Sequence, residues 1–207
     1  MNILFKQWIK LILSLLILSI TGISRAAPVI AEQILLANGG DSVAISEEWG
    51  FVGDTDECEV AVYKYDYSTN LWGDGAGNAG DKHSTIDEGP CTNAKFRSFG
   101  ASVSTTKGLL VVGAPEAKDT GGAFHGKIFF YNLISDAWVL NTTAGSPEDP
   151  AGTPDLQNDA LFGFVVSIRS EGNVALMLIG SPGYDVGGGM LMLGRFIFIP
   201  GISPTAP

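Results

Sequence analysis

From residue 38 onward the chain alternates short apolar runs with breaks rich in Gly, Pro, Asn and Asp, and the runs return in the same order. Phe99-Gly100-Ala101-Ser102-Val103 is followed by Gly108-Leu109-Leu110-Val111-Val112-Gly113-Ala114-Pro115. Phe162-Gly163-Phe164-Val165-Val166 is followed by Val174-Ala175-Leu176-Met177-Leu178-Ile179-Gly180-Ser181-Pro182, starting 63 residues later. A more worn copy lies upstream, with Ser42, Val43 and Gly53 each 60 residues before Ser102, Val103 and Gly113. Each copy has a short apolar strand, a turn, a second apolar strand ending at Gly, a polar Gly-rich loop, and an aromatic strand. Val60 to Tyr65 runs on to Trp72 and Ile128 to Tyr131 runs on to Trp138, each with a Tyr seven residues before the Trp. Strands rich in Val, Ile, Phe and Tyr between turn formers read as an antiparallel meander. A period near 60 residues is about one four-stranded unit with its connecting loop. The pattern predicts an all-β chain of three such repeats, over 38–95 (degenerate), 96–158 and 159–200, with a linker at 27–37 and a tail at 201–207. Helical periodicity is confined to the N-terminus.

That N-terminus has a different layout. Lys6 and Lys10 precede the apolar stretch Leu11 to Ile23, which is short for a permanent bilayer span. Ser24 and Ala26 supply small residues for cleavage before Ala27, and Pro28 discourages further helix. Residues 1–26 therefore read as a signal peptide, an uncleaved anchor being the alternative. No Cys follows the apolar stretch, so a lipid anchor is not indicated. Cleavage leaves no segment for stable membrane insertion and predicts a secreted, periplasmic or cell-surface protein.

Composition agrees with this picture and narrows the partners. A hydrophobic fraction of 45% with 27 Gly and 10 Pro fits many strands and many turns, not a disordered tail. The formal charge of −10 becomes −13 on cleavage, because Lys6, Lys10 and Arg25 leave and no carboxylate does. So acidic a surface repels nucleic-acid phosphates and anionic lipid head groups.

Cys58 and Cys91 are an even count in an exported chain, and a disulfide is the first reading, with free or intermolecular thiols as the alternative. It would close a loop of roughly 30 residues and constrain the unfolded chain by about 3 to 4 kcal/mol. Asn141-Thr142-Thr143 is an N-glycosylation sequon, usable in a eukaryotic host. The cysteines, His83 and His125 lack the close pairs of a zinc site. Neither His has a Ser elbow or oxyanion loop nearby, and both read as surface loop residues. Gly187-Gly188-Gly189 reads as a turn, not a phosphate cradle. No catalytic residue and no cofactor site is predicted.

The Phe-Gly-x-Ser-Val start, the Val-Gly-Ala-Pro after the second strand and the aromatic strand beyond a Gly-rich loop resemble FG-GAP repeats. The likeness covers nearly all of residues 38–200, strongest in the second copy and weakest in the first. It implies blades of an integrin α-type β-propeller, in which Gly lets two backbones approach where a Cβ would clash. A kelch-type propeller is the second choice, on Tyr65-Asp66-Tyr67-Ser68-Thr69-Asn70-Leu71-Trp72 and the series from Gly121-Gly122 through Tyr131 to Trp138. Another all-β sandwich or barrel is the plainer reading of Gly-bounded strands.

Calcium-binding members of that family carry alternating Asp residues just before the second strand, as oxygen-seeking calcium requires. Ser104 to Lys107 and Arg169 to Asn173, read as the corresponding loops, lack that series and include cations, which argues against calcium. Asp54 and Asp56, in Asp54-Thr55-Asp56-Glu57, and the stretch from Asp74 through Asn78 to Asp81 are weak candidates, with solvated turns as the alternative. The resemblance implies a non-enzymatic binding or adhesion module for an extracellular protein or glycan. An exported hydrolase or kelch-like oxidase with a site at the propeller axis is the contrasting expectation. Three blades leave two edges and two apolar faces without neighbours. The chain is thus expected to self-associate or to be a fragment of a longer surface protein.

Overall fold

The computed structural model describes residues 40–75, 80–118, 122–142, 161–171, 174–183 and 195–200. The expected signal peptide, linker and tail lie outside these residues. The described residues are all-β, with no helix among them, and form three antiparallel sheets. The first runs β1 (Ser42–Ser46), β2 (Trp49–Asp54), β3 (Glu59–Asp66), β4 (Leu71–Gly73), with β5 (Ser84–Asp87) pairing the earlier half of β3 along the edge that β4 occupies further on. The second runs β6 (Ser102–Thr106), β7 (Leu109–Ala114), β8 (Lys127–Ile134), β9 (Ala137–Leu140). The third is β10 (Val165–Glu171), β11 (Val174–Gly180) and β12 (Arg195–Pro200).

The strands pair in chain order, and two of the hairpins show their turn chemistry directly. Lys107 and Gly108 take φ of 33° and 75° between β6 and β7, and Ser135 and Asp136 take 49° and 67° between β8 and β9. Two successive residues at positive φ match the right-handed twist of the flanking strands. Registers repeat as well, since Ser42 pairs Gly53 and Ser102 pairs Gly113, preserving the 60-residue offset.

The sheets pack in series, β1 against β6 and β6 against β10. Among the described strands no comparable contact returns from β10 to β1. All six residues of β7 are buried. Leu110 and Val112 belong to the core shared with the first sheet, and Leu109 and Val111 to the core shared with the third. A strand covered on both faces needs an unbroken apolar run, which is what Leu109 to Val112 supplies.

The same backbone joint links both pairs of sheets. Ser42 Oγ donates to the carbonyl of Gly100 at 2.7 Å, and Ser102 Oγ to that of Gly163 at 2.8 Å. A Cβ on Gly53 would lie 2.1 Å from the Gly100 carbonyl oxygen, and one on Gly113 would lie 2.0 Å from that of Gly163. Gly100 and Gly163 themselves take φ of 91° and 87°, where an L side chain is strained. The preceding Phe99 and Phe162 are buried beside this joint.

Two readings of the repeat need correction. Ser104 to Thr106 and Arg169 to Glu171 are hairpin arms, not loops, because Thr105 and Thr106 pair Leu110 and Leu109, and Arg169 to Glu171 pair Leu176 to Val174. The Tyr seven residues before each Trp is not one equivalent position. Tyr65 pairs Trp72 whereas Leu133 pairs Trp138, so the counterpart of Tyr131 is Tyr63. The loop Tyr67 to Asn70 is two residues longer than the turn Ser135-Asp136, which hid the shift.

Candidate functional site

The acidic stretch after β2 is a structural knot. Asp54 is buried, and its Oδ1 accepts the backbone N–H groups of Asp56 at 3.0 Å and Glu57 at 3.2 Å. Asp56 itself is exposed. Thr55 donates through its N–H and its hydroxyl to Asp41 Oδ2, at 2.9 and 2.5 Å. Those two bonds hold the Asp41 carboxyl below the usual carboxylate range. Among the described residues, no group of three or more His, Cys, Asp or Glu side chains is placed to hold a metal ion. Of the second acidic candidate, residues 76–79 lie outside the described ones.

Cys58 and Cys91 form a disulfide, with Cα atoms 5.3 Å apart. It ties the turn between β2 and β3 to the segment following β5, and it is the bond of an oxidising, non-cytoplasmic compartment. Asn141 follows β9, half-buried, with its backbone N–H on the Phe130 carbonyl at 2.8 Å. Thr143 of its sequon lies outside the described residues.

His83 is not a free surface residue. It is half-buried with its ring edge-on to Trp49, 5.0 Å between centroids. Its Nδ1 lies 2.7 Å from the Asp74 carbonyl and its Nε2 3.3 Å from that of Asp136. The imidazole thus joins the end of β4 to the β8–β9 turn of the next sheet. Lys64 works across the same seam, pairing with Asp136 and lying 5.0 Å above the Trp49 ring. These contacts tie the two sheets together. His125 is half-buried too, its carbonyl accepting the Phe162 N–H at 2.8 Å.

The loop between β3 and β4 is tightly fixed and carries an exposed aromatic ring. Asp66 Oδ1 accepts the Ser68 N–H at 2.7 Å and the Ser68 hydroxyl at 2.6 Å, which keeps the Asp66 carboxyl below its ordinary range. Asn70, at φ 58°, returns its N–H to the Asp66 carbonyl at 2.8 Å. These bonds fix a tight loop and present Tyr67, which is 67% exposed. Behind it Tyr65 packs edge-on at 5.0 Å, and Trp72 packs on Tyr65 at 5.2 Å. Trp72 in turn rests on buried Val52, Ala61 and Tyr63. Gly50 lets its ring come close, since a Cβ there would lie 3.1 Å from it.

The aromatic series therefore runs from the core to the surface, ending in a ring that is two-thirds exposed. Such a residue contacts the apolar face of a sugar or a peptide side chain at little entropic cost. This segment figures in the sequence as a repeat signature, and the exposure of Tyr67 on its loop was missed. The available signal was the Tyr-Asp-Tyr-Ser run, in which the Asp sets the turn and the second Tyr falls outside the strand.

No family model matches the chain, and no curated protein matches it. Among solved structures, the crystal structure of the computationally designed Ika4 protein is similar to it at 9% identity and a TM-score of 0.30. The overlap covers 78% of this chain and 91% of that one.

Proposed function

We propose that this chain is an exported, non-enzymatic binding module built of FG-GAP-like propeller blades, which takes an extracellular protein or a glycan through the β3–β4 loop. The observation that carries the binding role is Tyr67, an exposed ring on a loop fixed by Asp66 and backed by Tyr65 and Trp72. The blade reading is supported by the joint at Gly53/Gly100 and Gly113/Gly163, which falls on the residues of the Phe-Gly and Gly-Ala-Pro signatures. Export is supported by the leader-like N-terminus and the disulfide.

The test is the exported chain, recovered after expression with its own leader and applied to a glycan array and to immobilised extracellular proteins beside Tyr67→Ser. N-terminal sequencing is expected to begin at Ala27. Selective binding that weakens at least several-fold in Tyr67→Ser, with melting unchanged, is the expected outcome. Turnover of a glycan or ester panel, or binding indifferent to Tyr67, would overturn it.

A further inference from the structure

The two ends of the sheet series differ from its middle in a complementary way. Consider the residue following the joint serine: Val103 and its counterpart Val166 are each 7% exposed, whereas Val43 of the first sheet is 74% exposed. Then consider the residue two before the joint glycine. Phe51 and Val111 are 1% and 0% exposed, whereas Leu178 of the third sheet is 42% exposed. Among the described residues, no sheet covers Val43 as the first sheet covers Val103, and none covers Leu178 as the third covers Val111. Each end is half of a joint that the chain makes twice within itself.

The backbone tells the same story. Gly53 and Gly113 are filled by the carbonyls of Gly100 and Gly163, but among the described residues a Cβ on Gly180 would meet nothing closer than its own strand partner Val165, at 3.5 Å. That glycine is an open socket. At the other end Gly40, 60 residues ahead of Gly100, is exposed beside β1. Val165 replaces the joint serine and is 55% exposed, next to Phe164 at 51%, so this end is apolar where the inner joints use a hydroxyl. Arg169 and Glu171 lie further along β10 and pair with each other at 2.8 Å. On the first sheet Val52 and Tyr63 are already buried, which leaves β1, with Val43 and Ile45, as the part on offer.

We infer that the Gly180 end of one chain receives the Gly40–Ile45 end of a second copy of this chain, and that two copies close head to tail. The inference rests on the blade reading proposed above. Its occupant is specified by continuity, since the inner joints show what covers each of these positions. A head-to-tail contact either closes into a ring or grows without limit. Counting their described residues, two chains bring six sheets, inside the typical range of four to eight for closed rings.

The test is light scattering of the exported chain at micromolar concentration beside Leu178→Glu and Val43→Glu, both at exposed positions. The wild type is expected at two chain masses and each variant at one, with the disulfide and melting curve retained. An equimolar mixture of the two variants is expected to recover a two-chain species, because one junction in it carries neither substitution. A single-chain wild type, an open polymer, or a dimer abolished by only one of the variants would overturn the inference. Gly113→Val separates this failure from failure of the blade reading, because it breaks a joint inside the chain. If it unfolds while the wild type is monomeric, only the association is lost; if it folds normally, the blade reading itself falls.

Discussion

The two joints between the sheets share one backbone geometry and differ in what fills it. Between the first and second sheets the filling is aromatic, with Phe51 edge-on to Trp138 at 5.0 Å and Phe99 edge-on to Phe129 at 5.2 Å. Polar ties surround it, including Lys64 on Asp136 and the Tyr131 hydroxyl on Glu88 at 2.6 Å. Burial, then the bond to Glu88, pushes the Tyr131 phenol far above its ordinary range. Between the second and third sheets the filling is mostly aliphatic, Leu109, Val111 and Ile128 meeting Val166, Ile168 and Met177. A side-chain tie there is Ser104 Oγ, which accepts the Ile168 N–H at 3.0 Å. Glycine and serine thus set how two sheets meet, and the side chains set how firmly they hold.

The strongest way to break the comparison is to put a side chain into each joint. Gly53→Val and Gly113→Val both drive a Cβ into a backbone carbonyl, and neither variant is expected to show a cooperative melting transition. If one of them melted like the wild type, the two joints would not be equivalent. Next in size is the disulfide, which ties the β2–β3 turn of the first sheet to the segment after β5. Cys58 and Cys91 are 33 residues apart, and replacing both by Ser is expected to cost about 3 to 4 kcal/mol in denaturant unfolding.

Adjacent residues of β7 sharpen the contrast, since Leu110 faces the first sheet and Leu109 the third. Each change to Ala is expected to cost about 3 kcal/mol. Hydrogen exchange distinguishes them: Leu109→Ala should speed exchange in β10 and β11, and Leu110→Ala in β2 and β3. The same segment responding to both would mean that the joints are not separable.

The smallest effect is electrostatic. The depressed carboxyl of Asp41 stabilises the fold at pH values above its unfolded value, and that contribution is lost as pH falls through its lower folded value. Because the group is exposed, Asp41→Asn should cost less than about 1 kcal/mol at neutral pH. The difference from wild type should vanish in acid, as read from melting temperatures across the range.

What the sequence revealed was what close backbone approach demands. Gly53, Gly100, Gly113 and Gly163 stand where any side chain would collide, so they could be read as a repeating signature before any contact was known. The 60-residue offset of Ser42 and Gly53 from Ser102 and Gly113 was legible too, and the pairings within each sheet keep it. Hairpin lengths were less legible, because a two-residue change between Tyr67–Asn70 and Ser135-Asp136 shifts one aromatic position against another without altering composition. The seam of His83, Lys64, Trp49 and Asp136 was not legible at all. Lys64 and Asp136 are 72 residues apart, and nothing local in either marks the other. The loop of Tyr67 fell between these cases: its turn chemistry is local, while its backing by Trp72 depends on the register of β3 and β4.

The serial contact of the sheets also bears on how the chain acquires its structure. Each sheet is a local meander that packs on the one before it, so order can spread by nearest-neighbour steps and needs no distant segment to begin. A polypeptide delivered N-terminus first from a ribosome or a translocation pore can complete its first sheet, cross-link Cys58 to Cys91, and offer a finished template before Phe162 has emerged. The aromatic joint then assembles early and the aliphatic one last, so vectorial synthesis and the gradient of packing run in the same direction.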